Sequence, residues 1–222
     1  MKKITIFITG CLLLCISLPA QDKPRELKGG GHLLGETVEQ FYAESHVAEL
    51  FAACQGRDWK NVNQLYNSPE HSSKNAAKDI CAKHILGRKQ ANAGARVEYQ
   101  GSGDQESMRA DKFLLDGGHL VRIDMTYGAP AAILEGAHPK TFAELLAGLQ
   151  EAYGDPTKSY TEAMVNNYGV KSDAHRATWI GKYDVISIVE QPGTNGWTEI
   201  VAQTIAEYNR SLQAPKTTNP LQ

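Results

Sequence analysis

The chain has 222 residues, with 23 Lys and Arg against 25 Asp and Glu, and a formal charge of −2 at pH 7. A balance this close to neutral offers no basic stripe for phosphates, which excludes nucleic acid as the expected partner, and it offers no polybasic membrane-surface anchor. The length affords a sizeable core, in one domain or in two small units.

The N-terminus reads MKKITIFITGCLLLCISLPAQD. Lys2 and Lys3 precede an apolar run from Ile4 to Leu18, and Pro19-Ala20 ends it on a small residue, the three-part pattern of a secretory signal. The run is shorter than the ~20 residues a membrane span needs. Residues 1–20 are therefore expected to be a signal peptide, leaving a periplasmic or secreted protein with no stable membrane span after cleavage. The alternative is a lipoprotein anchored through Cys11, because Ile8-Thr9-Gly10-Cys11 matches a lipobox; the apolar run, however, continues past Cys11. Loss of Lys2 and Lys3 moves the formal charge from −2 to −4.

Residues 21–32, QDKPRELKGGGH, read as a flexible leader. Thr37 with Gln40 three residues on is a capping-box pattern that starts a helix. Val38, Phe41 and Tyr42 form one apolar stripe, and Val47, Leu50, Phe51 and Cys54 form a second, out of phase, so a break is expected near Ser45. Ala77, Ile80, Cys81, His84 and Ile85 repeat the helical spacing within a third segment, Ser73 to Lys89, before a loop at 90–94. With Cys11 and Cys15 removed, Cys54 and Cys81 are the only cysteines left, each on the inward stripe of its helix. An even count in an exported chain points to a disulfide, and closing this loop contributes roughly 3–4 kcal/mol in the chain-entropy model. A metal set of Cys54, His71, Cys81 and His84 is the competing reading, but only Cys81 and His84 approach the tight spacing zinc sites use. No cofactor is expected.

Strands are expected from Arg96 to Gln100, at Lys112–Asp116 and at His119–Tyr127, the last two joined by Gly117-Gly118 in a hairpin. Val121, Ile123, Met125 and Tyr127 should face the core, and Leu120, Arg122, Asp124 and Thr126 solvent. Thr141 and Glu144 form a second capping box, followed by the apolar stripe Phe142, Leu145, Leu146, Leu149 and Tyr153 and the stop Gly154-Asp155-Pro156. Four further strands are expected at about 158–165, 174–180, 183–190 and 197–208. The tail 210–222 is polar and expected to be disordered. Helices then a meander, then a helix and a meander, without β-α-β alternation, define an α+β class with helices packed on one face of antiparallel sheet. The organisation expected is a region 33–130 with the cysteines and first hairpin and a region 131–209 with a helix and meander, two α-then-β-meander units.

The stretch Leu34-Gly35-Glu36-Thr37-Val38-Glu39-Gln40-Phe41 resembles the helix-opening motif of small bacterial envelope proteins, and Tyr153-Gly154-Asp155-Pro156-Thr157 followed by Ala177-Thr178-Trp179 resembles their helix-to-strand passage. The grouping is the SmpA/BamE-like and β-lactamase-inhibitor-protein-like family of exported two-layer sandwiches, and the chain is similar above all to uncharacterised small secreted bacterial proteins on that plan. The resemblance covers residues 33–44 and 139–208 and implies a protein-binding function. The chain departs from it in the Cys54–Cys81 segment and in lacking the lipidated N-terminus of the BamE branch, and no functional residue of the family transfers to a matching position.

Seven histidines invite an enzyme reading. His32, His71 and His138 lie in polar segments where a solvated ring is the default; His84 is on an inward stripe, His46 on a helix, His119 after a hairpin turn and His175 at a strand start. No H-E-x-x-H, G-x-S-x-G or G-x-x-x-x-G-K-[ST] occurs, which argues against a zincin, an α/β-hydrolase and a P-loop enzyme. Trp59 and Tyr66, in the polar loop between the cysteines, have no core period that explains them, and Trp197 follows a Pro-Gly turn; all three are candidate partner contacts. The expected function is an exported non-catalytic protein-interaction or scaffolding module acting on another protein. The alternative is a small secreted hydrolase with an unrecognised site.

Overall fold

The computed structural model describes residues 26–66, 73–101, 109–128, 140–165, 171–191 and 197–214. The expected signal peptide, Cys11, His71, His138 and the side chain of Tyr66 lie outside them. Helices α1 (Val38–Ala43), α2 (Ser45–Gly56), α3 (Trp59–Tyr66) and α4 (Lys74–Asn92) come first. Strands β1 (Val97–Gln100), β2 (Arg109–Asp116) and β3 (His119–Tyr127) follow, then α5 (Phe142–Tyr153). Strands β4 (Lys158–Val165), β5 (Lys171–Ile180), β6 (Asp184–Gln191) and β7 (Trp197–Thr204) lead into α6 (Ile205–Gln213). All seven strands form one antiparallel sheet in the order β1-β2-β3-β7-β6-β5-β4. The class is α+β, and the two meanders join through the β3–β7 pairing into one continuous sheet.

Local chemistry starts and stops the helices where the sequence marks them. Thr37 and Gln40 cap each other reciprocally at α1. The expected break near Ser45 is Glu44, which leaves the helical region (φ −59°, ψ 141°) and turns its carboxylate onto the free amides of His46 and Val47 at 3.1–3.2 Å. Thr141 and Glu144 form the second capping box, and Gly154 ends α5 with φ 76°. The carbonyl of Gly154 accepts a 2.8 Å bond from the indole of buried Trp179, which ties the helix end to β5.

The main core lies between the sheet and α1 and α5, and includes Val38, Phe41, Phe113, Ile123, Leu149 and Trp179. A second cluster sits among α2, α3 and α4: Leu50, Ala53, Val62, Ala77 and Ile80 surround the Cys54–Cys81 disulfide, whose Cα atoms are 5.4 Å apart.

Several expectations need correction. The leader is ordered in the part described: Gly29 and His32 exchange backbone bonds across a tight turn (2.9 and 3.2 Å), and the His32 ring is only 1% exposed, stacked on Phe41 at 4.1 Å. The turn works because it carries no side chains; a Cβ on Gly29 would lie 2.4 Å from Ile123. The stretch between the cysteines is not all loop. Asp58 caps α3 through the Asn61 amide, and Trp59, Val62 and Leu65 recur every third residue to pack on the disulfide cluster. Helix α4 runs on to Asn92, through the first three residues of the expected loop, and only Ala93 and Gly94 form the turn. Leu120 is fully buried, because a register shift after Leu114 pairs Leu115 with Leu120 and Leu114 with Arg122, leaving Val121 as the extra residue. The last strand stops at Thr204, whose hydroxyl caps α6, so residues expected in a strand and in a disordered tail form a helix to Gln213.

Candidate functional site: the open face of the sheet

Alternation along each strand divides the sheet's residues between two faces. Asp111, Phe113, Ile123, Met125, Ile200 and Ala202 point into the core under the helices. The intervening residues point the other way: Lys112 of β2, Arg122 and Asp124 of β3, Glu199 and Trp197 of β7. The register brings these together, since Lys112 pairs with Asp124, and Thr126 with Glu199. They line a groove of about 380 Å³ across β1, β2, β3 and β7.

Its charges are mostly matched in place. Arg122 Nε donates to Asp124 Oδ1 at 2.6 Å, and Lys112 Nζ lies 3.8 Å from Glu98 Oε1. Burial, with a contribution from the Asp124 carboxylate, raises the pKa of Glu199 above the usual glutamate range. A carboxyl with a raised pKa beside a second carboxyl is an arrangement acid–base catalysis uses. Asp124 is held by Arg122 on β3, and the described lining residues include no histidine, cysteine or serine. Trp197 stands at the rim, 39% exposed, at the first residue of β7.

One end of this face is fixed by an ion-pair network. The Arg96 guanidinium donates to both oxygens of Glu207 at 2.6 and 2.9 Å, and Glu207 is 4% exposed. Arg96 also reaches Asp116 at 3.2 Å, and Arg210 binds Asp116 and Glu207. The Arg96 bond holds the Glu207 carboxyl below its ordinary pKa, and Arg210 does the same to Asp116. Helix α6 is thereby clamped to the start of β1 and to the β2–β3 hairpin.

Two smaller cavities flank Tyr99. One, about 220 Å³, is bordered by His46, Leu50 and Leu65; the other, about 230 Å³, by Tyr42, His84 and Gly87. Both are smaller than the ~300 Å³ at which small-molecule sites begin. The Tyr42 hydroxyl is buried, and desolvation pushes its pKa up to about 12 against the opposing pull of Arg88. His84 lies 4.7 Å from the Tyr99 ring, and burial, aided by His46, lowers its pKa to about 4.

Of the two expected contact residues whose side chains are described, Trp59 and Trp197, only Trp197 stands on this surface. Trp59 is half-buried against the disulfide cluster and belongs to the helical unit. Cys54 and Cys81 are bonded and buried. His32 is buried rather than solvated, with Nδ1 2.9 Å from Glu36 Oε2; His119 is exposed, and exposed His175 pairs with Glu190. Arg122 and Asp124 were visible as the wet face of one strand, but Glu199 and Lys112 join them only through pairing across long sequence separations. Among the described residues, no group of three His, Cys, Asp or Glu side chains is placed to hold a metal ion, and no helix is long and apolar enough to cross a membrane. No protein-family model, characterised protein or solved structure matches this chain.

Proposed function

We propose that this protein is an exported, non-catalytic binding module that holds another protein on the open face of its sheet, with Trp197 as the anchor. The observation that carries this reading is the partly exposed indole of Trp197 at the rim of a charged groove on paired strands. Aromatic anchors on a rigid platform bind at low entropic cost, because little is ordered on association. The balanced charges of the groove suit a mixed protein surface rather than a polyanion. The disulfide accords with an oxidising compartment, which the N-terminal signal pattern also indicates. In the periplasmic or secreted form, the mature chain then begins at Gln21, and intact mass of the exported protein reads that directly; a diacylglyceryl adduct on Cys11 would replace it with the lipoprotein form.

The binding test uses affinity capture from the exported fraction with the wild-type chain and Trp197→Ala. A partner retained by wild type and lost with the variant, at unchanged melting temperature, supports the assignment. Equal retention by both places the contact elsewhere.

A further inference from the structure

We infer that a second copy of this chain pairs with the edge of β4 that no described strand occupies, joining two sheets across a two-fold axis. The two edges of the sheet differ. β1 is four residues long and carries α4 beside it. β4 is eight residues long and pairs only with β5 among the described strands, and every residue from Lys158 to Ala163 is exposed. Natural proteins shorten, bulge or cover such edges, because the unpaired backbone groups recruit another strand. Here the ladder with β5 runs without a register shift.

The side chains say which strand fits. Lys158, Tyr160 and Glu162 alternate on the open face, opposite Thr178, Arg176 and Ala174 of β5. Antiparallel pairing of β4 with its own copy about Tyr160 sets Lys158 against the copy's Glu162, and Glu162 against the copy's Lys158. Tyr160, 52% exposed, meets its own equivalent between the two ion pairs. On the other face the same register sets Ser159 against Thr161 twice. Opposite charges, aromatic pairs and Ser–Thr pairs directly across a ladder are each favourable. Shifting the two-fold axis by one residue to Thr161 loses both charge pairs and sets Tyr160 against Glu162. A lysine on an edge strand ordinarily discourages pairing; in this register it meets a carboxylate. Arg176, whose Nε lies 2.8 Å from Glu162 Oε2, holds that carboxylate in place. The contact is a strand pair without a large apolar area, so the dimer is a weak, reversible one of the kind small interfaces make.

Sedimentation equilibrium on the purified exported chain, from about 1 μM to about 1 mM, tests this. The expected mass rises from one chain to two with concentration. Lys158→Glu and Glu162→Lys each place like charges across the axis and should weaken the dimer at least tenfold. An equimolar mixture of the two restores both pairs and should recover it. Glu162→Lys also loses Arg176, so its melting curve is read alongside. Should that variant not fold, Tyr160→Cys replaces it: pairing about residue 160 forms an inter-chain disulfide there faster than collision does at Leu212→Cys, a comparably exposed position, with Cys54–Cys81 intact, and equal rates at the two positions overturn the inference. A mass of one chain throughout overturns the inference, as does a dimer that Lys158→Glu leaves unchanged.

Discussion

His84 shows how one buried ring sets the acid limit of the fold. Burial and the neighbouring His46 lower its pKa to about 4, against about 6.5 in an unfolded chain. Between those values the unfolded chain binds a proton that the folded chain refuses, so stability falls as pH drops from 6.5 to 4 and is unaffected above. The loss is at most roughly 3 kcal/mol, less whatever solvent screens at a half-buried ring. His84→Gln is expected to flatten that slope, read by urea unfolding at pH 7 and pH 4.5; an unchanged slope places the acid sensitivity on another group. Glycine makes a second residue-scale case. Gly29→Ala drives a methyl to 2.4 Å from Ile123 and should cost about 1–3 kcal/mol. Gly148→Ala, on the exposed side of α5 with nothing within 4 Å, should instead stabilise by about 0.5–1 kcal/mol. Melting temperatures moving in opposite directions check the pair.

Among the elements, the α2–α3–α4 unit rests on a small core, and the disulfide compensates for it. Replacing Cys54 and Cys81 together by alanine should lose roughly 3–4 kcal/mol in denaturant unfolding. The loss should concentrate in faster amide exchange of α3 and α4, while the sheet keeps its protection. Helix α6 depends on charge instead. Arg96→Ala removes both bonds of its guanidinium to Glu207, leaves the longer one from Arg210, and should cost about 1.5–3 kcal/mol, since hydrogen bonds to charged groups contribute that much. Exchange should rise in α6 first, and equal protection in both proteins contradicts the clamp. What the sequence made legible among these elements was local. Thr141 with Glu144, the Gly117-Gly118 turn and the alternation from Arg122 to Tyr127 each act within a few residues, and each lies where expected. Helix α3 was missed although Trp59, Val62 and Leu65 carry a helical spacing, because the polar residues around them outweighed three apolar ones. Leu120 was misplaced because a bulge obeys the register of its partner strand, which no single-strand pattern reveals.

For the whole molecule, the decisive contact is β3 with β7, separated in sequence by α5 and three strands. It merges two locally readable meanders into one sheet and assembles Lys112, Asp124, Glu199 and Trp197 on one surface. The fold class follows from element order, whereas this surface follows from a pairing that only the folded chain specifies. The buried His32 turn belongs to the same scale: its glycines look like a linker until Ile123 and Phe113 close over them. On the proposed reading, the open sheet face, not the disulfide-bonded helical unit, meets the partner. A photo-reactive phenylalanine analogue placed singly at position 197 and at position 59 in the exported chain, irradiated in its native compartment, tests this most directly. One discrete protein adduct is expected from position 197 and none from position 59. An adduct from position 59 alone would contradict it.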